Sequence, residues 1–141
     1  IQKGNLSSLE SQEFHRTMIQ IDALERIGDV ISNDMVKISR KKIQKNLESS
    51  KKLTGMLLEL QTLLVDLLQN AYLVIRNPES EVRDSILAAE SEVERRIEDF
   101  FNHQERRFEE TEGDRVPLFR VEMDLVEKQR RIYGLIKRIV E

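Results

Sequence analysis

Apolar residues recur at steps of three and four through nearly the whole chain, and only two prolines, Pro78 and Pro117, interrupt them. That spacing lays a stripe along one side of an α-helix. A half-buried strand needs alternation with a period of two, and no segment shows it. The pattern therefore predicts an all-α fold. At 141 residues the chain suits one domain, large enough to bury a core without disulfide or metal staples.

Local punctuation divides the pattern into four long helices. The first spans about residues 8–46, with Leu24, Ile27, Ile31, Met35 and Ile38 on its apolar side. Ser49 or Ser50 caps the second, at about 50–77. The stripe of this second helix (Leu53, Met56, Leu57, Leu60, Leu63, Leu64, Leu67, Ala71, Val74) is broad enough to make it the expected central helix. Asn77-Pro78 ends it, because the residue before a proline is driven out of the helical region. Ser80 opens the third, about 80–112, whose core side carries Val82, Ile86, Ala89, Val93, Ile97, Phe100, Phe101 and Phe108. Gly113-Asp114 closes it, with Asp114 as cap for the fourth, about 115–140. Pro117 is tolerated in that helix's first turn, and Leu118, Val121, Leu125, Ile132, Leu135, Ile136 and Ile139 follow. Short turns between long helices predict an up-down antiparallel bundle.

Composition removes several function classes. There is no cysteine, which excludes disulfides, thiolate zinc sites and cysteine-ligated iron–sulfur clusters. Two histidines, His15 and His103, are too few for a histidine-rich metal site. No apolar run reaches 18 residues, and no signal-peptide pattern is present. No glycine-rich phosphate loop, activated nucleophile or histidine–glutamate zinc motif occurs, so no catalytic activity is expected. The net charge of −3 gives no case for nucleic acid, but its distribution is uneven. Lys37 to Lys52 holds seven basic residues against Glu48 alone, whereas from Glu79 to Asp114 acids outnumber bases 13 to 5.

The densest chemistry lies in Ile21–Asp29. Asp22, Glu25 and Asp29 form an acidic stripe beside Leu24, Ile27 and Ile31. Carboxylates four residues apart stand about one helical turn apart and can both reach one hard cation. Gly28 sits among them although glycine costs a helix about 1 kcal/mol relative to alanine, which suggests a close approach there. Met18–Ile38 and Val121–Glu141 share this spacing, with Asp124, Glu127 and Arg131 in the places of Asp22, Glu25 and Asp29. Such a match suggests a duplicated unit.

Leu24-Glu25-Arg26-Ile27-Gly28-Asp29 resembles the acidic motif on the last helix of each three-helix repeat in PhoU-like phosphate-homeostasis proteins. On that resemblance the first helix would close repeat one and the other three would form repeat two. Asp84-Ser85-Ile86-Leu87-Ala88, followed by Glu94 and Glu98, looks like the family's middle-helix pattern. The drifted second motif around Asp124-Leu125-Val126-Glu127 is most similar to the C-terminal cytoplasmic region of bacterial sodium/phosphate cotransporters.

The resemblance implies a regulatory domain on the cytoplasmic side of a bacterial inner membrane, with the transmembrane part of the same transporter as its partner. The start at Ile1 rather than methionine fits a piece of a longer membrane protein. The resemblance also implies iron, manganese or zinc at Asp22, Glu25 and Asp29, and less strongly at Glu94, Glu98 and Glu127, where Arg131 suggests an ion pair instead. These metals need further donors from facing helices. Lys37, Arg40, Lys41, Lys42 and Lys45 offer a surface for a partner or an anionic membrane, beside the simpler role of offsetting a helix dipole. The alternative to a transporter domain is a free-standing metal-binding adaptor or a helical dimerisation module, including a homodimer through the Phe100-Phe101 face and the broad apolar stripe of the second helix. Neither nucleic acid nor a small organic substrate is expected.

Overall fold

The helix that touches every other element is the last one. A computed structural model describes residues 7–110 and 115–141, and all regular structure among them is helical. The elements are α1 (Ser8–Asp29), a π-helical segment (Val30–Met35), α2 (Val36–Gln44), α3 (Lys51–Arg76), α4 (Val82–Ala88), α5 (Glu90–Glu110) and α6 (Val116–Val140). α6 packs against all six of the others. Its buried set, including Phe119, Val126, Tyr133 and Val140, extends well beyond the stripe read from sequence. The expectation that the second helix would be central is thereby corrected. Leu-rich α3 buries one face, while α6 lies between partners on several sides.

Sequence punctuation holds at several ends. Ser7 and Glu10 form a reciprocal capping box at the start of α1. Ser50 caps α3, its Oγ accepting the Leu53 N–H at 3.2 Å. α3 stops at Arg76, with Asn77 extended ahead of Pro78. α2 ends through Asn46, which takes φ 53°, while the Leu47 N–H reaches back to the Lys42 carbonyl at 2.9 Å. A left-handed residue with a six-to-one bond of this kind closes a helix without glycine. The reading of Gly113-Asp114 as stop and cap lies outside the described residues. α6 begins from Arg115 with no side-chain cap and with Pro117 in its first turn.

Two helices are not continuous. The first changes to π geometry for six residues after Asp29, where the Ser32 hydroxyl also bonds back to the Gly28 carbonyl at 2.8 Å. Side chains that bond to the preceding turn bend helices, and π turns insert a residue into the α ladder. The third breaks at Ala89 because a neighbour pulls on its backbone. The Tyr133 hydroxyl of α6 donates to the Ile86 carbonyl at 2.9 Å, and the Ala89 N–H is shared between the Ser85 carbonyl at 3.1 Å and the Ile86 carbonyl at 3.3 Å. Burial, with Glu90, Glu141 and Glu94 adding to it, pushes the Tyr133 phenol up to about 12, so it remains a donor at neutral pH.

α1 packs with a different face from the one expected. Gln20, Ala23, Ile27 and Val30 are buried, whereas Leu24 is 42% and Ile31 46% exposed. Ser8 to Met18 are exposed throughout. α1 meets essentially one neighbour, α6, and a narrow face of small residues suffices for a close approach. The Gln20 Nε2 group reaches across to donate to the Ile139 carbonyl in the last turn of α6 at 3.1 Å. With Asp29 and Arg131 lining one cleft further along, the two helices run in opposite directions.

α5 also runs against α6. Glu90 pairs with Lys137, Glu94 with Arg130, and Gln104 with Glu122, a series that descends α6 as it ascends α5. α3 is long and apolar enough to cross a membrane by length and composition, with a mean hydropathy of 1.2 over its best window. Its Leu53, Leu60, Leu64, Leu67, Ala71 and Val74 are buried within the bundle.

Candidate functional site: an acidic cleft between α1 and α6

The acidic stripe of α1 faces α6. Asp22, Glu25 and Asp29 line a cleft of about 330 Å³ with Arg26, Asn33, Asp34 and, from α6, Arg131. Helical spacing brings the first three to one side, and the π segment adds Asp34 just beyond. Cations already answer much of this charge. Arg26 Nε donates to Asp22 Oδ2 at 2.9 Å, an exposed i, i+4 pair worth about 0.3–0.5 kcal/mol. Arg131 supplies a second positive group to the same cleft.

Among the described residues, no three His, Asp or Glu side chains converge as a metal would require. As arranged here, Asp22, Glu25 and Asp29 do not by themselves fit iron, manganese or zinc, which need several converging donors.

Gly28 has no close neighbour. A methyl group added there would meet nothing within 4 Å, so the expected close approach is not made by this chain. Gly28→Ala should raise stability by about 0.5–1 kcal/mol, measured by thermal unfolding. A loss of stability instead would show that the space around Gly28 is not open as described.

The second acidic set is arranged as an ion-pair cluster. Arg130 bridges Glu94 at 3.2 Å and Glu127 at 3.1 Å, while its guanidinium lies 5.6 Å from the centre of the Phe101 ring. The sequence assigned the neutralising cation to Arg131. Helix phase sends Arg131 to the α1 cleft and leaves Arg130 facing α5. Glu98 is exposed and joins neither pair.

The basic run divides. Lys41 and Lys45 line a cleft of about 240 Å³ with Arg120 and Asp124 at the start of α6. Lys37 and Arg40 are exposed elsewhere on α2 and Lys42 is half-buried, so the five do not form one surface. α2 buries no residue of its own.

Several polar residues that sequence reading passed over are buried. Gln20, Gln104, Glu122 and Gln129 all stand in the interior. Gln104 donates to Glu122 at 2.9 Å, and Gln129 donates weakly to the Leu57 carbonyl at 3.4 Å. Their one sequence signal was position: each falls in phase with buried apolar residues on its own helix. His103 is half-buried beside them, and burial, then Lys52, Arg107 and Arg106, push its imidazole below the ordinary histidine range, against an opposite pull from Glu122. His15 is exposed on α1.

No family model matches this chain, and no curated protein or solved structure matches it either.

Proposed function

We propose that this chain is a PhoU-like regulatory domain, an up-down helical bundle on the cytoplasmic side of a sodium/phosphate cotransporter. Its role is to bias transport through contacts with the transmembrane part of the same protein. The observation that carries the reading is the packing of α1 against α6. The segments matched by the internal repeat, Met18–Ile38 and Val121–Glu141, lie side by side in opposite directions. Such an arrangement is what a duplicated unit folded about an approximate two-fold axis would have, and it supports the motif-based resemblance. The cleft between these helices is then the regulatory surface, with Asp22, Glu25 and Asp29 on one wall and Arg131 on the other. A metal ion enters this proposal only if donors from another helix complete the set.

The second reading is a free-standing helical module that self-associates. An apolar groove of about 200 Å³ runs between the π-helical segment and α3, with the exposed Ile31 and Val65 on its walls and Gln129 and Ile132 in its lining. This favours a dimer, since a second copy would cover apolar surface that the single chain leaves in water.

The test is made on the native gene product: its intact mass, and whether it stays with membranes through alkaline carbonate extraction. The transporter reading expects a carbonate-resistant protein much heavier than 16.6 kDa. A soluble product would overturn it and leave the self-associating module.

A further inference from the structure

The far end of α5 and the start of α6 enclose a second kind of surface, for which the sequence carried no motif. A cleft of about 430 Å³ opens there, walled by Phe101, Phe108 and Phe119. Phe108 and Phe119 stand with ring centroids 5.5 Å apart and tilted by 52°. Gln104 lines the same cleft while only 5% exposed, and its Oε1 has no hydrogen-bond partner. The Nε2 of that amide is already committed to Glu122 at 2.9 Å, which fixes the oxygen as the free end. Glu105 and Glu109 are exposed on the lining, and among the described residues neither forms an ion pair.

These features specify a ligand class. Aromatic faces attract cations through the ring quadrupole, as Arg130 already demonstrates on Phe101 at 5.6 Å. A buried amide oxygen without a partner asks for an N–H or O–H donor. Two unpaired carboxylates favour positive charge over neutral donors. The volume is that of a small-molecule cleft. From the juxtaposition of three phenylalanines, an unpartnered buried acceptor and two unpaired acids, the geometry points to a binding site for a small organic ammonium. Its apolar body lies among Phe101, Phe108 and Phe119, and its ammonium N–H faces the Gln104 oxygen and the glutamates. A quaternary ammonium is disfavoured, because it has no hydrogen to give the amide oxygen. The site is remote in sequence from the α1 stripe and stands independently of the transporter reading.

The experiment titrates the isotope-labelled chain with 2-phenylethylammonium and, in parallel, with the neutral 2-phenylethanol, following backbone amide shifts by NMR. Saturable shifts centred on Gln104, Phe108 and Phe119 are expected with the amine, and the alcohol should bind about tenfold more weakly. The double variant Glu105→Gln with Glu109→Gln changes only exposed side chains and should weaken the amine about tenfold without changing the alcohol. Equal binding of amine and alcohol would overturn the proposal. So would shifts that map elsewhere, amine binding untouched by the double variant, or no saturable binding. Lysine blocked at its backbone ends as Nα-acetyl-lysine amide, with the ε-ammonium free, would replace the small ligand with a protein partner if it bound more tightly than the amine, and would overturn the assignment too.

Discussion

Phe100→Ala should destabilise the protein by about 3–5 kcal/mol. Phe100 is 1% exposed and stands in the buried row of α5 with Val93 and Ile97, its ring edge-on to Phe101 at 6.0 Å. Truncation removes the transfer energy of the ring and leaves a void that packed helices close only in part. That is from about a fifth to all of a typical total of about 5–15 kcal/mol, and at the low end of that range it unfolds a large fraction of molecules. Urea denaturation reads it directly, with Phe108→Ala as the internal comparison. Phe108 is 55% exposed but packs on Phe119, and its removal should cost about 0.5–1.5 kcal/mol, well below Phe100. If the two variants cost the same, α5 is not seated as described.

Gln20→Met should cost about 1–3 kcal/mol and loosen the end of α6. The methionine keeps the length and the apolar stem but removes the donor to the Ile139 carbonyl. That carbonyl is buried at the contact between α1 and α6. Loss of the Gln20 amide leaves a buried acceptor without its partner, which costs more than an average hydrogen bond contributes. Hydrogen exchange adds a local readout: amides of the last turn, including Glu141 bonded to Lys137, should exchange faster than those around Val126. Unchanged exchange there, with unchanged stability, would show that the α1–α6 contact does not depend on Gln20.

What could be read from sequence was local. The apolar row of α3, its Ser50 cap and its stop before Pro78 depend on residues within a turn or two of each other, and they stand where expected. The acidic stripe Asp22–Glu25–Asp29 was legible for the same reason, since one helix fixes its spacing. Its opposite wall was not. Arg131 and Arg130 are adjacent in sequence, and only the rotation of α6 among its neighbours decides which faces α1 and which faces Glu94. The phase of α1 was misread because large residues mark a stripe more loudly than Ala23 or Gln20, although the close helix contact is made with the small and the polar. The break at Ala89 follows from Tyr133, 44 positions later, through a hydroxyl on a carbonyl that no local propensity encodes. Buried Gln104 and Glu122 were hidden by their polarity, which ordinarily marks a solvent side.

The π turn at Val30–Met35 makes the relation between the two ends of the first long helix depend on a count of residues. Each residue advances an α-helix by about 100° about its axis, and the π turn takes up one residue beyond what the α ladder would hold, so a change in length acts as a gear tooth except where it removes that extra residue. Removing one residue there would restore an uninterrupted α spiral and keep Lys41 and Lys45 toward Arg120, whereas removing one from the regular helix between Val36 and Arg40 would turn them away by about 100°, with Asp22, Glu25 and Asp29 left in place in both cases. The acidic and basic ends of that helix can therefore be re-aimed independently by changes in length alone, with no side chain at either end replaced.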